Sequence, residues 1–181
     1  MKVFASSAMP MSRAGLAVLP IGPNRLPSVS GFNRWKRPPG ERTIAGWIDI
    51  YPDNNIAILP GLSGVVVVDC DDADQDDEVE ELFGATPIRV VSRRGRHRYY
   101  KAAQIPLPGN LREYGLDVDI KAGSSLVIAP PSRHESGHIY RLEGDWLDLK
   151  HLPPISVDNL QSRLNSLLSV FKSFETLSGF S

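Results

Sequence analysis

The sequence predicts an α+β fold: a mixed, mainly antiparallel sheet with flanking helices and a C-terminal amphipathic helix. Three observations carry this prediction. Val65-Val66-Val67-Val68 is β-branched throughout and does not alternate with polar residues, as expected of a central strand covered on both faces. Between Ala73 and Phe83, Val79, Leu82 and Phe83 fall at i, i+3 and i+4, acids crowd the first turns and Gly84 follows as a stop, which specifies a helix. Ile88 to Ser92 and His97 to Lys101 then flank Arg93-Arg94-Gly95-Arg96, the pattern of an antiparallel hairpin.

The other elements follow in chain order. After a polar start, Gly15 to Ile21 reads as a short buried strand, and the Pro-, Gly-, Asn-, Arg- and Lys-rich stretch to Gly40 as a long basic loop. Thr43 is expected to cap a short helix carrying Ile44, Trp47 and Ile48, before Pro52-Asp53-Asn54-Asn55 turns the chain into a strand from Ile56 to Leu59. Pro60 to Gly64 makes the tight connection to Val65. Leu116 to Ile120 and Leu126 to Ala129 read as strands around Lys121-Ala122-Gly123-Ser124, and a last strand is expected near Ile139 to Leu142. Val157, Leu160, Leu164, Leu167, Leu168 and Phe171 repeat at helical spacing. The expected organisation is a catalytic domain over 1–152 and a helical tail or linker over 153–181.

With 181 residues, 41% of them hydrophobic, the chain can bury one substantial core. No stretch approaches the ~18 consecutive apolar residues that span a bilayer, and Met1 to Met11 lacks the apolar block of a secretory signal, so a soluble cytoplasmic protein with no membrane partner is expected. A single cysteine, Cys70, excludes an internal disulfide and a cysteine-rich zinc site, and the four histidines are scattered. Any metal should therefore sit on oxygen ligands. Lys and Arg number 20 against 21 Asp and Glu, but the charges are segregated. Nine of the thirteen residues from Asp69 to Glu81 are acidic, whereas Arg89 to Lys101 holds six Arg and Lys and no acid. Such segregation suits a metal site beside an anion-binding surface.

The chemistry-bearing residues sit at strand ends. Asp69-Cys70-Asp71 emerges from the buried strand, and the period of two sends both carboxylates to one side, where a divalent cation on oxygen ligands would neutralise them. Taken alone, the pair also fits aspartates that merely end a strand and open a helix. Asp119 lies between Val118 and Ile120, which should point to the core and leave its carboxylate on the opposite face; Asp117 shares that face and competes for the role. Ser92 to Tyr100 combines a turn glycine, arginine forks, a hydroxyl and His97, a cradle suited to a triphosphate; a solvated basic hairpin is the plainer alternative.

In this order the motifs resemble the primase–polymerase (prim-pol) domain of the archaeo-eukaryotic primase superfamily, the bifunctional DNA primase/polymerase type of plasmids, phages and mobile elements. The resemblance runs from about Gly15 to Tyr140. Its acidic motif is matched by Val67-Val68-Asp69-Cys70-Asp71, its serine and Gly-x-His by Ser92 through His97, and its third aspartate by Val118-Asp119-Ile120. Asn55-Ile56-Ala57-Ile58 is similar to the family's Asn-Ile-Gly-Ile stretch, and Pro130-Pro131-Ser132 to its Pro-Pro-Ser segment. The resemblance implies an RRM-like catalytic core in which Asp69, Asp71 and Asp119 are catalytic and hold Mg²⁺ or Mn²⁺. Ser92, Arg96 and His97 would grip the nucleotide, with Lys121 beside them. It also implies nucleoside triphosphates and single-stranded or primed DNA as partners, two-metal nucleotide addition in DNA replication, and a replicative helicase in trans or on a longer natural chain.

Two departures from relatives stand out: the zinc insertion some of them carry cannot form with one cysteine, and no Gly-x-x-x-x-Gly-Lys-Ser/Thr helicase loop occurs. Two rival readings remain open. A metal-dependent nuclease or topoisomerase-primase-type phosphotransferase also uses Asp-x-Asp, and a non-catalytic DNA-binding replication module would keep the basic surface. The basic loop, with Arg25, Arg34, Lys36, Arg37 and Arg42 and with Trp35 as a stacking platform, fits either a track for template backbone or a solvated loop.

Overall fold

The computed structural model describes residues 2–160 and 162. Its elements run α1 (Val3–Arg13), β1 (Val18–Ile21), α2 (Glu41–Ile50), β2 (Asn55–Ile58), β3 (Val65–Cys70), α3 (Asp76–Phe83), β4 (Arg89–Val91), β5 (Arg96–Lys101), β6 (Val118–Lys121), β7 (Val127–Ala129) and β8 (Arg141–Glu143). The strands form two sheets, β1-β2-β7 and β6-β3-β5-β4-β8, and every pairing between them is antiparallel. No described helix is long and apolar enough to cross a membrane.

Strand β3 separates two cores. Val65 and Val67 face one, with Tyr99, Val90, Ile56 and Ile58 and the buried side of α1, Val3, Phe4, Ala8 and Met11. Val66, Val68 and Cys70 face the other, with Tyr100, Val118, Ile120 and the apolar side of α3, Val79, Leu82 and Phe83. A third cluster lies on the far side of the small sheet, where Ala17, Leu19, Ile21, Ala57 and Leu59 are covered by Val29, Phe32, Trp35 and Trp47.

The structure departs from the sequence reading at four places. The polar start is a helix, α1, whose buried residues are Val3, Phe4, Ala8 and Met11. Ser6, Ser7 and the internal Pro10 mask that stripe, and burial of the stripe against α2 and the sheets overrides their low propensity. Helix α2 begins at Glu41 with Gly40 in the cap position, so Thr43 is not its cap. The strands on either side of Lys121 to Ser124 join different sheets, β6 beside β3 and β7 beside β2, so one expected sheet is two. Residues 73–75 form a tight 3₁₀ turn before α3, capped where the Asp72 carboxylate accepts from the Asp74 N–H at 3.0 Å. The expected C-terminal helix starts at residues 158–160, with Leu160 buried, and its continuation to Phe171 lies outside the described residues.

On the α3 face Arg98 is only 1% exposed, an expensive place for a cation. It is neutralised by Asp76, which also pairs with Arg96, and by Glu80 at 3.1 Å. Burial pushes the Asp76 carboxyl up, but the hydrogen bonds and charges of Arg98 and Arg96 together hold it below the usual range. A carboxyl lowered on folding contributes stability above its unfolded value and loses it as pH falls through the folded one. Asp76→Ala is therefore expected to cost about 3 kcal/mol in urea unfolding at neutral pH, because Arg98 would keep only Glu80. The deficit relative to wild type should shrink as pH falls below the usual carboxylate range, where the unfolded chain takes up its proton first, and vanish only once pH passes the lowered value of the folded carboxyl.

Candidate active site

Register brings the site together. In the β3–β5 pairing Asp69 stands opposite His97, and in the β3–β6 pairing it stands opposite Asp119. Residues directly across a pair share a face, so Asp69, His97 and Asp119 project the same way, and Lys121, two residues on, joins them. Asp71 lies just past the strand, where its N–H donates to the Asp117 carbonyl at 2.9 Å and prolongs the pairing with the β6 side. These five side chains and Ser92 line a cavity of about 250 Å³ whose other wall is Leu126, Val127 and Ile128 at β7. Arg25, Arg93, Arg94, His134 and Tyr140 complete its rim. The cavity lies where the large sheet and the edge strand of the small one separate.

Each carboxylate has its own cation or donor. His97 Nε2 lies 3.2 Å from Asp69 Oδ1. Burial pushes the imidazole down against the pull of Asp69, and its buried Nδ1 has no hydrogen-bond partner among the described residues. Burial likewise pushes Asp69 up against the pull of His97, and Asp71 and Asp119 add their repulsion. Asp71 meets Arg94 at 3.0 Å. Burial raises Asp119, but Lys121 at 2.6 Å and Arg112 at 2.9 Å outweigh it and hold the carboxyl below its usual range. Asp117, the competitor for that role, is turned toward Arg112 at 3.4 Å and does not line the cavity.

The hairpin turn is held over the carboxylates by backbone geometry. Ser92 N–H donates to the Gly95 carbonyl at 3.0 Å, and the Gly95 N–H donates to Ser92 Oγ at 3.1 Å. A Cβ at Gly95 would lie 2.1 Å from the Cys70 carbonyl oxygen, so only glycine lets the turn press against the end of β3. Ser92 thus clasps the turn as well as lining the cavity.

Arg96 is not brought into the cavity. It precedes His97 on β5 and faces the other side, where it pairs with Asp76 and approaches Glu143 at 3.5 Å. The side chains that reach the carboxylates are instead Arg94, from the turn, and Arg112, from the loop before β6. The basic run contained a signal for Arg94, but no local pattern marks Arg112.

The chain matches the family description of the bifunctional DNA primase/polymerase N-terminal domain (Prim-Pol) over residues 8–155. The chain belongs to this family. No curated protein matches it. The match concerns the primase/polymerase domain alone and gives no support for a helicase partner.

Two stretches with a Prim-Pol resemblance turn out to brace each other. Ile56 N–H donates to Ser132 Oγ at 2.9 Å and Ser132 O–H donates to the Ile56 carbonyl at 3.0 Å. Asn55 Nδ2–H donates to the Arg133 carbonyl and the Arg133 N–H to Asn55 Oδ1, both at 2.8 Å. These four bonds tie β2 to the turn after β7, which contains the cis Pro130-Pro131 bond.

Prim-Pol domains are in general divalent-metal dependent. The donor chemistry here fits such an ion, because three carboxylates share one wall and repel one another at Asp69. Among the described residues, though, no three acidic, His or Cys side chains are already arranged around one point, since Asp71 and Asp119 are turned to Arg94, Lys121 and Arg112. Binding an ion would exchange those partners for the metal.

Gly95→Ala tests the turn geometry. The added methyl must displace the end of β3 or the turn, and the expected result is a loss of about 1–3 kcal/mol in thermal or urea unfolding. A stability equal to wild type would mean that the turn does not press on Cys70.

Proposed function

We propose that this domain is a DNA-dependent nucleotidyltransferase. It would add nucleotides to a primer, or start primers on single-stranded template, in the replication of a mobile element or phage. One observation carries the reading: Asp69, Asp119, His97 and Lys121 meet on one wall of a cavity in a Prim-Pol domain, with Arg93 and Arg94 at its rim.

In this reading Asp69, Asp71 and Asp119 would hold Mg²⁺ or Mn²⁺, which would activate the primer 3′-hydroxyl and neutralise the leaving pyrophosphate. The chain's own residues bind and orient. Arg93 and Arg94 offer guanidinium forks to phosphate oxygens, and Arg94, with its side chain 52% exposed, can swing from Asp71 to a triphosphate. Lys121, released from Asp119 as the ion takes that carboxylate, would turn to the phosphate and offset the charge that builds there. His97, 3.2 Å from Asp69 and buried, holds that carboxylate in place. The wall of Leu126 and Ile128 excludes water from one side. Ser92 serves the nucleotide by holding the turn, and Arg96 serves it by anchoring β5 to α3 through Asp76.

The decisive experiment is extension of a primed template with Mg²⁺ or Mn²⁺. Asp69→Ala and Asp119→Ala are each expected to lower the rate at least about a hundredfold. Full activity in both would overturn the site, and cleavage of template without added nucleotide would mark a nuclease instead. His97→Ala is expected to weaken triphosphate binding, read by calorimetry, by about five- to tenfold through the loosened Asp69 carboxylate. Unchanged affinity would remove His97 from the nucleotide site.

A further inference from the structure

Trp35 and Trp47 stack with ring centroids 5.7 Å apart and planes 13° from parallel. They are half-buried, at one side of an open groove of about 760 Å³ that Lys36, Arg37, Gly40 and Thr43 also line. From Gly22 to Gly40 the chain carries Arg25, Arg34, Lys36 and Arg37 and not one acid, although the whole chain has a net charge of −1. Among the described residues neither Arg34, Lys36, Arg37 nor Arg42 joins an ion pair. Cations left unpaired beside an aromatic stack are a poor way to stabilise a loop and a good way to hold a polyanion with flat bases.

The same loop and the β6–β7 crossing link this groove along the chain to residues of the carboxylate cavity. Trp35 lines a smaller cleft with Phe32, Leu62, Gly123 and Ser124, and Ser124 is three residues beyond Lys121 in the cavity wall. At the other end of the same loop Arg25 reaches the cavity rim, from a turn where its φ is +61°.

We propose that the segment from Phe32 to Trp47 is a binding site for single-stranded nucleic acid, in which a base extends the Trp35–Trp47 stack and Lys36 and Arg37 take the flanking phosphates. The strand then runs past Gly123 to the cavity. This rests on the template-using reading of the cavity and gives that template its path. A double helix does not satisfy the stack, because its bases are already paired and stacked; an acidic peptide satisfies the charges but not the rings.

The test is fluorescence anisotropy of a labelled single-stranded oligothymidylate across a salt series, without nucleotide or divalent metal. Lys36→Glu/Arg37→Glu changes only exposed side chains and is expected to weaken binding at least tenfold. It should also flatten the dependence of log affinity on log salt by at least about 1.4, roughly 0.7 for each cation removed. Trp35→Ala is expected to weaken binding by about five- to a hundredfold with the salt slope unchanged, and Trp35→Phe to recover most of that loss. Oligonucleotide should quench the emission of the wild type, in which Trp35 and Trp47 are two of three tryptophans. Wild-type affinity and slope in the charge variant would overturn the proposal, whether or not Trp35→Ala folds. So would equal competition by duplex DNA or polyglutamate. Because this assay omits nucleotide and metal, its failure leaves the carboxylate chemistry standing. Conversely, failure of wild-type primer extension with oligonucleotide binding intact would remove the polymerase reading and leave the strand site.

Discussion

Strand β3 is paired along both edges and covered on both faces, and the placement of the site depends on that constraint. Val65 and Val67 pack into one core and Val66 and Val68 into the other, all 3% exposed or less. Burying each valine is worth roughly 1.5–3 kcal/mol, so together they outweigh the cost of holding a mostly buried carboxylate at the strand's end. A slip of one residue would exchange the two faces, sending Asp69 under α3 and Cys70 into the cavity. Hydrophobic register, rather than any attraction among charged groups, therefore aims Asp69 and fixes His97 and Asp119 across from it.

The same alternation sorts the charges. The acidic run divides, with Asp69 and Asp71 going to the cavity and Asp76 and Glu80 to Arg98 beneath α3. The basic run divides as well, with His97 facing Asp69 and Arg96 and Arg98 facing α3. The two destinations differ physically. The α3 pairs enclose a buried cation and are structural, because leaving Arg98 uncompensated is costly. At the cavity's carboxylates the partners Arg94 and Arg112 have side chains 52% and 55% exposed, and pairs so open to water contribute little stability. Those arms keep the carboxylates neutralised at little energetic cost to their release, as a site would need if it exchanged protein cations for substrate and metal.

How far this was legible in the sequence follows from the range of the interactions involved. The valine run, the α3 stripe and the hairpin around Gly95 are local patterns, and they appear where expected, as does Asp119 between the buried Val118 and Ile120. Helix α1 was not legible, because its stripe of Val3, Phe4, Ala8 and Met11 is interrupted by serines and a proline and gains its stability only from partners elsewhere in the chain. The assignment of β6 and β7 to separate sheets is a matter of long-range pairing, which no local window contains. Arg96 is different: once His97 was placed on a strand and aimed at the cavity, the period of two already sent its neighbour to the other side. Arg112 reaches Asp119 through a turn whose path is set by Leu111 packing in the α3-side core, so no motif could have announced it.

The width of the cavity is a backbone property. The chain passes from the small sheet to the large one between β2 and β3 and returns between β6 and β7, and the two crossings touch where Gly61 N–H donates to the Gly123 carbonyl at 3.0 Å. A Cβ at Gly61 would stand 2.5 Å from that oxygen, so any larger residue would prise the crossings apart. On the far side of β2 the Asn55 and Ser132 bonds fix the end of β7. With β7 tied at both ends, Val127 and Ile128 are held at a set distance from Asp69, Asp119 and Lys121 on the opposite wall. The stretches flanking the acidic motifs thus act at a distance from the candidate site, by spacing two sheets, and leave the cavity-facing side chains outside the braces that set its width.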